Sequence, residues 1–143
     1  MVQAQCECSE EVLGWLQRIT ELYAAQDVDG VLSAFTSDIT FADHRPLAGA
    51  DAMGTDDVRD FLRMTYELLP DFKISVLVLA QDGDTYLARD TYDGHAAAGG
   101  GEAVLEWWVV DTLRDGRLAR EDIYATEEEA GAEFEKRTVH PPS

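Results

Sequence analysis

The spacing of apolar residues changes along this chain from a helical period to a strand period, near Pro70. Before that proline, apolar positions mostly recur every three or four residues, and after it they recur every two. A short apolar run from Ile39 to Phe41 interrupts the first part and predicts one early strand. The chain is therefore expected to place helices against a sheet, as an α+β fold does.

Helix boundaries follow from residues that can cap a first turn. Ser9, Asp27 and Thr55 each precede an apolar run at helical spacing, and their side-chain oxygens can accept a hydrogen bond from the following turn. Thr126 and Glu129 have the spacing of a capping box, which predicts a last helix after the strands. The apolar face of the first helix consists of Val12, Trp15, Leu16, Ile19, Leu22 and Tyr23.

Four strands are predicted after Pro70, joined by tight turns at "DGD" and "RDG" and by the loop "GHAAAGGG". The expected order of elements is α-α-β-α-β-β-β-β-α. It predicts a curved, mostly antiparallel sheet that the N-terminal helices wrap into a cone-shaped cavity, with a C-terminal helix. We expect one domain over residues 9–137, with flexible tails at 1–8 and 138–143. The four strand segments are "FKISVLVLA", "TYLARDTYD", "EAVLEWWVVDTL" and "RLAREDIYA".

Charge and composition exclude several classes of partner. The chain of 143 residues carries a net charge of −18, which repels nucleic acid and anionic lipid. No stretch approaches the roughly 18 apolar residues of a membrane span. The start, "MVQAQCECSE", lacks a signal-peptide pattern, so a cytoplasmic protein is expected. Cys6 and Cys8 are interpreted as reduced thiols, and no metal or other cofactor is expected.

Alternation along the strands predicts which side chains face the cavity. Each strand has one face that is more apolar or smaller than the other, and we assign that face to the interior. The residues assigned to the interior are Tyr86, Ala88, Asp90, Tyr92, Leu105, Trp107, Glu121 and Ile123.

Three carboxylates are candidates for catalysis: Asp43 at the mouth of the early strand, and Asp90 and Glu121 within later strands. Burial in an apolar cavity raises the pKa of a carboxyl group, which suits it to proton transfer near neutral pH. Two alternatives stay open. Asp43 could only cap a turn, and a slip of one residue in register would place Asp90 and Glu121 in solvent. The expected substrate contacts are His44, Tyr86, Tyr92, Leu105, Trp107 and Ile123.

Two segments resemble the nuclear transport factor 2-like superfamily. "DVDGVLSAFTSDITFAD" resembles its helix-then-strand segment and "LRDGRLAREDIYATEEE" its final hairpin, and the order of elements matches over residues 10–137. The superfamily includes ketosteroid isomerase, limonene epoxide hydrolase, scytalone dehydratase and the SnoaL polyketide cyclases. The resemblance implies the cone-shaped fold, and it places Asp43 where ketosteroid isomerase has its catalytic base.

The chain departs from two of these patterns. Ile19 and Val109 stand where the isomerase resemblance implies an oxyanion-binding tyrosine and a protonated acid. Asp90, Tyr92 and Ile123 stand where the epoxide hydrolase pattern has an Arg and two Asp. The SnoaL cyclases, with few acid and base groups in a hydrophobic pocket, resemble this chain best.

The sequence is compatible with three functions. The first is a cofactor-independent enzyme that uses acid/base chemistry for cyclisation, isomerisation or epoxide opening of a hydrophobic, oxygenated metabolite such as a polyketide. The second is a non-catalytic binder of small molecules. The third is a dimeric interaction module, and a homodimer through the back of the sheet is also expected if the protein is an enzyme. The surface predicted for that contact consists of Trp108, Val104 and Val110.

Overall fold

The fold is described from a computed structural model, which describes residues 1–46 and 55–138. Its four helices are α1 (Glu10–Ala24), α2 (Val28–Ser33), α3 (Thr55–Leu68) and α4 (Glu127–Thr138). Ser9 Oγ accepts from Val12 N at 3.3 Å, and Asp27 Oδ1 accepts from Gly30 N at 2.9 Å, so these predicted caps form. The predicted tail from residue 139 onward lies outside the described residues.

Six strands form one sheet in the order β1-β3-β4-β5-β6-β2. Both edge strands run parallel to their neighbours, and the inner pairs are antiparallel. This confirms the mostly antiparallel sheet that the sequence predicts. The strands are β1 (Val2–Ala4), β2 (Phe35–Asp43), β3 (Lys73–Asp82), β4 (Thr85–His95), β5 (Glu102–Arg114) and β6 (Arg117–Tyr124).

Irregular pairing curves the sheet. The register shifts between Phe35 and Thr40 in β2, between Val78 and Ala80 in β3, and between Thr112 and Leu113 in β5. Such bulges bend a strand and increase its local twist. The curved sheet packs one face against α1 and α3, where apolar side chains of the helices and strands form the main core.

The N-terminal segment differs from the flexible tail expected at residues 1–8. Residues Val2–Ala4 form β1, which pairs in parallel with β3 in the register Val2 to Val76. Cys6 and Cys8 are free thiols, half-buried against the main core. The short segment has little periodicity of its own, so only its pairing with the exposed edge of β3 makes it a strand.

The last helix lies on the opposite face of the sheet from α1 and α3. Ala130 of α4 is fully buried in a second apolar cluster with Leu87 and Val110, and Trp108 packs against that cluster. The N-terminal helices therefore cover the cavity side of the sheet and the C-terminal helix covers its back. The predicted dimer stripe is wrong at Val110, because α4 covers this residue completely, whereas Val104 stays 57% exposed.

Asp122 anchors α4 to the back of the sheet. Its carboxylate is 2% exposed and forms ion pairs with Arg137 of α4 and with Arg120, whose Nε lies 2.9 Å away. His44 Nε2 lies 2.9 Å from the other carboxylate oxygen.

Within the part of the chain that the structure describes, no helix is long and apolar enough to cross a membrane.

Candidate functional site

A cavity of about 250 Å³ lies between the helices and the curved face of the sheet. Its walls are mainly aromatic and aliphatic, and three charged or acidic side chains enter it: Asp43, Arg45 and Glu121. This composition is typical of small-molecule sites, where a few polar groups orient a mostly apolar ligand. The apolar and aromatic lining residues are Tyr23, Phe41, Val58, Phe61, Leu62, Phe72, Tyr92, Trp107 and Ile123.

Asp43 and Glu121 reach the cavity because β2 pairs in parallel with β6. Phe41 pairs with Glu121, and Asp43 pairs with Ile123 two residues further along both strands. The backbone N–H of His44 donates to the carbonyl oxygen of Ile123 at 2.8 Å and extends this pairing to the end of β2. Alternate residues share a face, so both acids lie on the cavity side.

Asp43 and Arg45 form a closed ion pair at the cavity wall. Arg45 Nε lies 2.9 Å and 3.2 Å from the two carboxylate oxygens, and Nη2 lies 2.5 Å from Oδ2. The backbone N–H of Arg45 also donates to Asp43, at 3.1 Å. Burial raises the pKa of Asp43, but these hydrogen bonds and the charges of Arg45 and His44 outweigh it, so the pKa is lowered.

Behind Glu121 lies a second cavity of about 40 Å³, and three carboxyl groups line it, those of Asp90, Asp111 and Glu121. Asp111 pairs with Glu121 across β5 and β6, and with Tyr86 across β4 and β5. The Tyr86 hydroxyl donates to Asp111 Oδ2 at 2.6 Å, and Trp15 Nε1 donates to the Tyr86 oxygen at 3.1 Å. α1 is thereby connected to the acids by a short chain of hydrogen bonds.

The interior raises the pKa values of these acids. For Glu121 the causes are burial, then the charges of Asp111 and Asp90 and the hydrogen bond to Asp111. Burial also raises the pKa of Asp111, to about 6, although hydrogen bonds from Tyr86 and Glu121 oppose the effect. Burial and the charge of Asp111 raise the pKa of Asp90 well above its ordinary value. Glu121 is therefore the member of this pair that takes up a proton more readily, and its hydrogen bond to Asp111 favours the protonated form.

Most residues predicted for the site have the expected orientation. Asp43, Tyr92, Trp107, Glu121 and Ile123 line the main cavity. Tyr86 and Asp90 are buried and line the smaller cavity instead. Asp43 and Glu121 therefore share one space, and Asp90 lies behind it with Glu121. The roles assigned to these residues remain predictions.

Two other predicted substrate contacts, His44 and Leu105, line neither of these cavities. His44 stacks on the Tyr124 ring at 4.4 Å and pairs with Asp122, so its ring lies towards the back of the sheet. Leu105 shares the strand face of Trp107 but is 52% exposed. Its strand position precedes the part of β5 that the helices cover, so alternation alone places it wrongly.

Asp111 was not among the predicted site residues. It is 4% exposed and has the same strand parity as Trp107, which the alternation of side chains assigns to the interior. That parity was the signal that could have identified it. Tyr23 and the residues of α3 were also missed as lining residues, because a helical pattern predicts a buried face without showing which part borders a cavity.

Among the described residues, no three His, Cys, Asp or Glu side chains are grouped as metal ligands would be. Asp111 instead accepts hydrogen bonds from Tyr86 and Glu121. This arrangement supports storage and transfer of a proton.

Solved structures share this fold. A proposed polyketide cyclase from Xanthomonas campestris pv. campestris is 20% identical, with 87% of this chain and 97% of that chain covered and a TM-score of 0.63. AclR, a proposed hydroxylase from Streptomyces galilaeus, is 13% identical, with 88% and 96% covered and a TM-score of 0.69. A Catenulispora acidiphila protein with a ketosteroid isomerase-like fold, in complex with trimethylamine, is 16% identical, with 88% and 92% covered and a TM-score of 0.64.

Each identity is below one quarter, so these similarities establish the fold alone. The fold defined by the sheet, the helices and the cavity is that of the ketosteroid isomerase-like proteins, which confirms the resemblance found in the sequence. The chain belongs to the SnoaL-like domain family, whose model matches residues 16–121. A comparison with curated proteins found no match.

Proposed function

We propose that this protein is a cofactor-independent enzyme that transfers protons on a hydrophobic, oxygenated small molecule such as a polyketide. Cyclisation, isomerisation and epoxide opening are reactions of this kind. The observation that carries the proposal is Glu121, a half-buried residue whose carboxyl group has a raised pKa and lines an aromatic cavity. A carboxyl group with this environment can give and take a proton near neutral pH.

Glu121 acts together with Asp111 in this proposal. Between them the two groups hold one proton near neutral pH, because ionising both in one buried site is unfavourable. When the proton lies on Glu121, that residue is an acid towards the cavity. When it lies on Asp111, Glu121 is a base, so one pair supports both halves of a proton transfer.

Asp43 is the second candidate base, as the sequence predicts. Its carboxylate enters the same cavity, but both oxygens already accept hydrogen bonds from Arg45. A carboxylate stabilised in this way has a lowered pKa and is a weaker base. The geometry therefore supports Glu121 better than Asp43 as the group that moves the proton.

A non-catalytic binding protein is the alternative. The closed Asp43–Arg45 pair favours it, since both groups satisfy each other without any ligand. Aromatic walls from Tyr92 and Trp107, with ring centroids 4.0 Å apart, can hold a planar ligand in either case. The two functions differ in whether bound molecules exchange protons with the protein.

Deuterium exchange separates the two functions. 2-Tetralone, an aromatic bicyclic ketone, exchanges the hydrogens next to its carbonyl group when a base removes and returns them, and NMR in D₂O measures the rate. We expect the protein to accelerate this exchange and Glu121→Gln to lower the acceleration by about 10²–10⁴-fold, the usual contribution of a general acid or base.

Glu106→Gln is the matched control, since Glu106 lies on the same sheet but is 46% exposed and pairs with Arg89. Its exchange rate should equal that of the unmodified protein. Binding of 2-tetralone without accelerated exchange would support the binding protein. Equal rates for Glu121→Gln and the unmodified protein would contradict the role of Glu121.

A homodimer through the back of the sheet is a separate proposal, now restricted to Val104 and the half-buried Trp108. Val104 is 57% exposed and lies beyond the part of the back face that α4 covers. Apolar side chains exposed beside each other often mark a protein contact. The oligomeric state in solution tests this proposal.

A further inference from the structure

The Asp43–Arg45 pair leaves part of the arginine side chain available to the cavity. A guanidinium group carries five N–H donors. The contacts with Asp43 involve the Nε–H and one N–H of Nη2, so the remaining N–H groups make no bond to Asp43. Arg45 borders the cavity, and its side chain is 31% exposed. It can therefore donate hydrogen bonds to a ligand there.

Two neighbours hold the guanidinium group in place. The Asp43 carboxylate accepts hydrogen bonds along one edge of the Arg45 guanidinium plane. The Trp107 ring packs against the face of that plane, with 4.7 Å between Arg45 Cζ and the ring centroid. A planar cation held at an edge and at a face has few orientations left. Donors fixed in this way stabilise a developing negative charge without rearranging.

Arg45 and Glu121 border the same cavity, together with Tyr92, Trp107 and Ile123. A bound molecule can therefore meet a fixed cation and a proton-transferring carboxyl group at once. This combination suits a reaction in which a proton leaves carbon while charge accumulates on an oxygen atom.

We propose that Arg45, oriented by Asp43 and Trp107, is the residue of this chain that binds the substrate oxygen when it becomes negatively charged. Asp43 is then a positioning residue. The inference rests on the proposed function, since it assigns a further catalytic residue to the same site.

The reaction balances with groups of this chain alone. The Glu121 carboxylate removes a proton from the carbon next to the carbonyl group. The C–H electron pair forms the carbon–carbon double bond of the enolate, and the carbonyl π pair moves to oxygen, which accepts hydrogen bonds from Arg45. Glu121 then returns the proton to a carbon atom of the enolate, and the π pair returns from oxygen.

The charge of the whole chain favours a neutral substrate over an anion. A net charge of −18 repels anions that approach from solution. A ketone enters uncharged, and its negative charge appears only inside the cavity, beside Arg45. A molecule that already carries a carboxylate lacks this advantage.

Binding of 4-nitrophenol tests the oxygen site independently of catalysis. Its phenolate form absorbs visible light, and it ionises near neutral pH, so the spectrum reports which form is bound. 4-Nitroanisole, the methyl ether, has nearly the same shape and cannot ionise. We expect Arg45→Gln to weaken phenolate binding by at least about 10-fold, with 4-nitroanisole binding unchanged, because only the phenolate needs the charged donor.

Two further variants complete the test. Arg45→Lys keeps the charge but loses the planar fork, so it should retain part of the phenolate preference and covers the case in which Arg45→Gln fails to fold. Arg89→Gln removes an arginine that pairs with Glu106 outside the site, and it should bind both probes as the unmodified protein does. Equal phenolate binding by Arg45→Gln, Arg45→Lys and the unmodified protein would overturn the inference.

The exchange of 2-tetralone distinguishes this inference from the proposed function. We expect Arg45→Gln to lower the exchange rate by about 10²–10³-fold, as loss of one oxyanion donor does. Phenolate preference without exchange in the unmodified protein would support the oxygen site and contradict catalysis. The exchange could instead depend on Glu121 but not on Arg45, with no preference for phenolate. That result would support the proposed enzyme and overturn the oxygen site at Arg45.

Discussion

At the scale of single residues, the interior of this protein places three acids beside one small cavity. Asp90 is 9% exposed, Asp111 4%, and Glu121 borders both cavities. Each would be costly to bury as an ion, and hydrogen bonding between Glu121 and Asp111 lowers this cost by letting the two share a proton. The acids therefore couple folding, pH and the proposed chemistry.

Asp111→Asn tests that coupling through the pH dependence of exchange. Only the ionised form of Glu121 removes a proton, so the rate of 2-tetralone exchange should rise with pH through the pKa of Glu121. The charge of Asp111 helps to raise that pKa. Without it the pKa of Glu121 falls, and the rising limb of the pH–rate profile should move to lower pH. A profile that only loses amplitude would show that Asp111 has a structural role alone.

Asp90→Asn tests how burial links stability to pH. The folded pKa of Asp90 is raised, so the folded state holds this proton more tightly than the unfolded chain. Stability from this group is then fully present below the unfolded pKa of about 3.9 and is lost as pH rises through the folded pKa. Asparagine cannot ionise, so Asp90→Asn should unfold at a higher temperature than the unmodified protein at pH 8.

The same comparison at pH 4 should show a smaller difference, because Asp90 is then largely protonated in the folded state. Thermal unfolding followed by circular dichroism at both pH values measures it. Asp93→Asn is the control, since Asp93 lies on the other face of the same strand and is half-buried. A lower unfolding temperature for Asp90→Asn at pH 8 would contradict the effect of burial on its pKa.

At the scale of elements, α4 depends on charges that cross to the sheet. Arg137 is 11% exposed and contacts Asp122 and Glu133. It also lies 3.4 Å from the carbonyl oxygen of Val110. These contacts set which part of the back face the helix covers. Asp122 is 1% exposed, so water screens its ion pair with Arg137 less than it screens a pair at the surface.

Arg137→Ala should therefore lower the free energy of unfolding by about 3 kcal/mol, the cost of removing one partner from a buried ion pair. Arg120→Ala is the matched control, because Arg120 pairs with the same Asp122 from a side chain that is 51% exposed. It should cost at most about 1 kcal/mol. Urea unfolding measures both, and equal losses for the two variants would contradict the importance of burial at α4.

At the scale of the whole molecule, the back of the sheet has a covered part and an exposed part. α4 buries Val110, while Val104 remains 57% exposed near the start of β5. A dimer through this face must therefore use the end of the sheet that contains Val104. Its formation does not require α4 to move.

Sedimentation at micromolar concentration checks this arrangement. We expect a species of twice the 15.8 kDa chain mass, and we expect Val104→Lys to convert it to a monomer because a charge would be buried in the contact. Glu106→Lys places the same side chain two positions along the strand and also changes the pairing with Arg89. Its effect should be smaller. A monomer at all concentrations would exclude the proposed contact.

The sequence alone was sufficient for the local features of this protein. Alternation within β4 and β6 predicted the inward faces of Asp90 and Glu121, and capping residues such as Ser9 and Asp27 predicted where helices begin. These features depend on neighbours within a few residues, so the pattern of side chains contains the whole signal.

Only the tertiary structure decided how these parts meet. β1 exists because the edge of β3 offers it unpaired backbone groups, and α4 covers Val110 because Asp122 and an apolar cluster hold it there. Asp43 was predicted from its position and pairs with Arg45 nearby in the chain, yet the packing of Arg45 over the Trp107 ring depends on β5 and could not be read from the sequence. Contacts between residues far apart in sequence depend on the burial of whole surfaces, and no local spacing records that free energy.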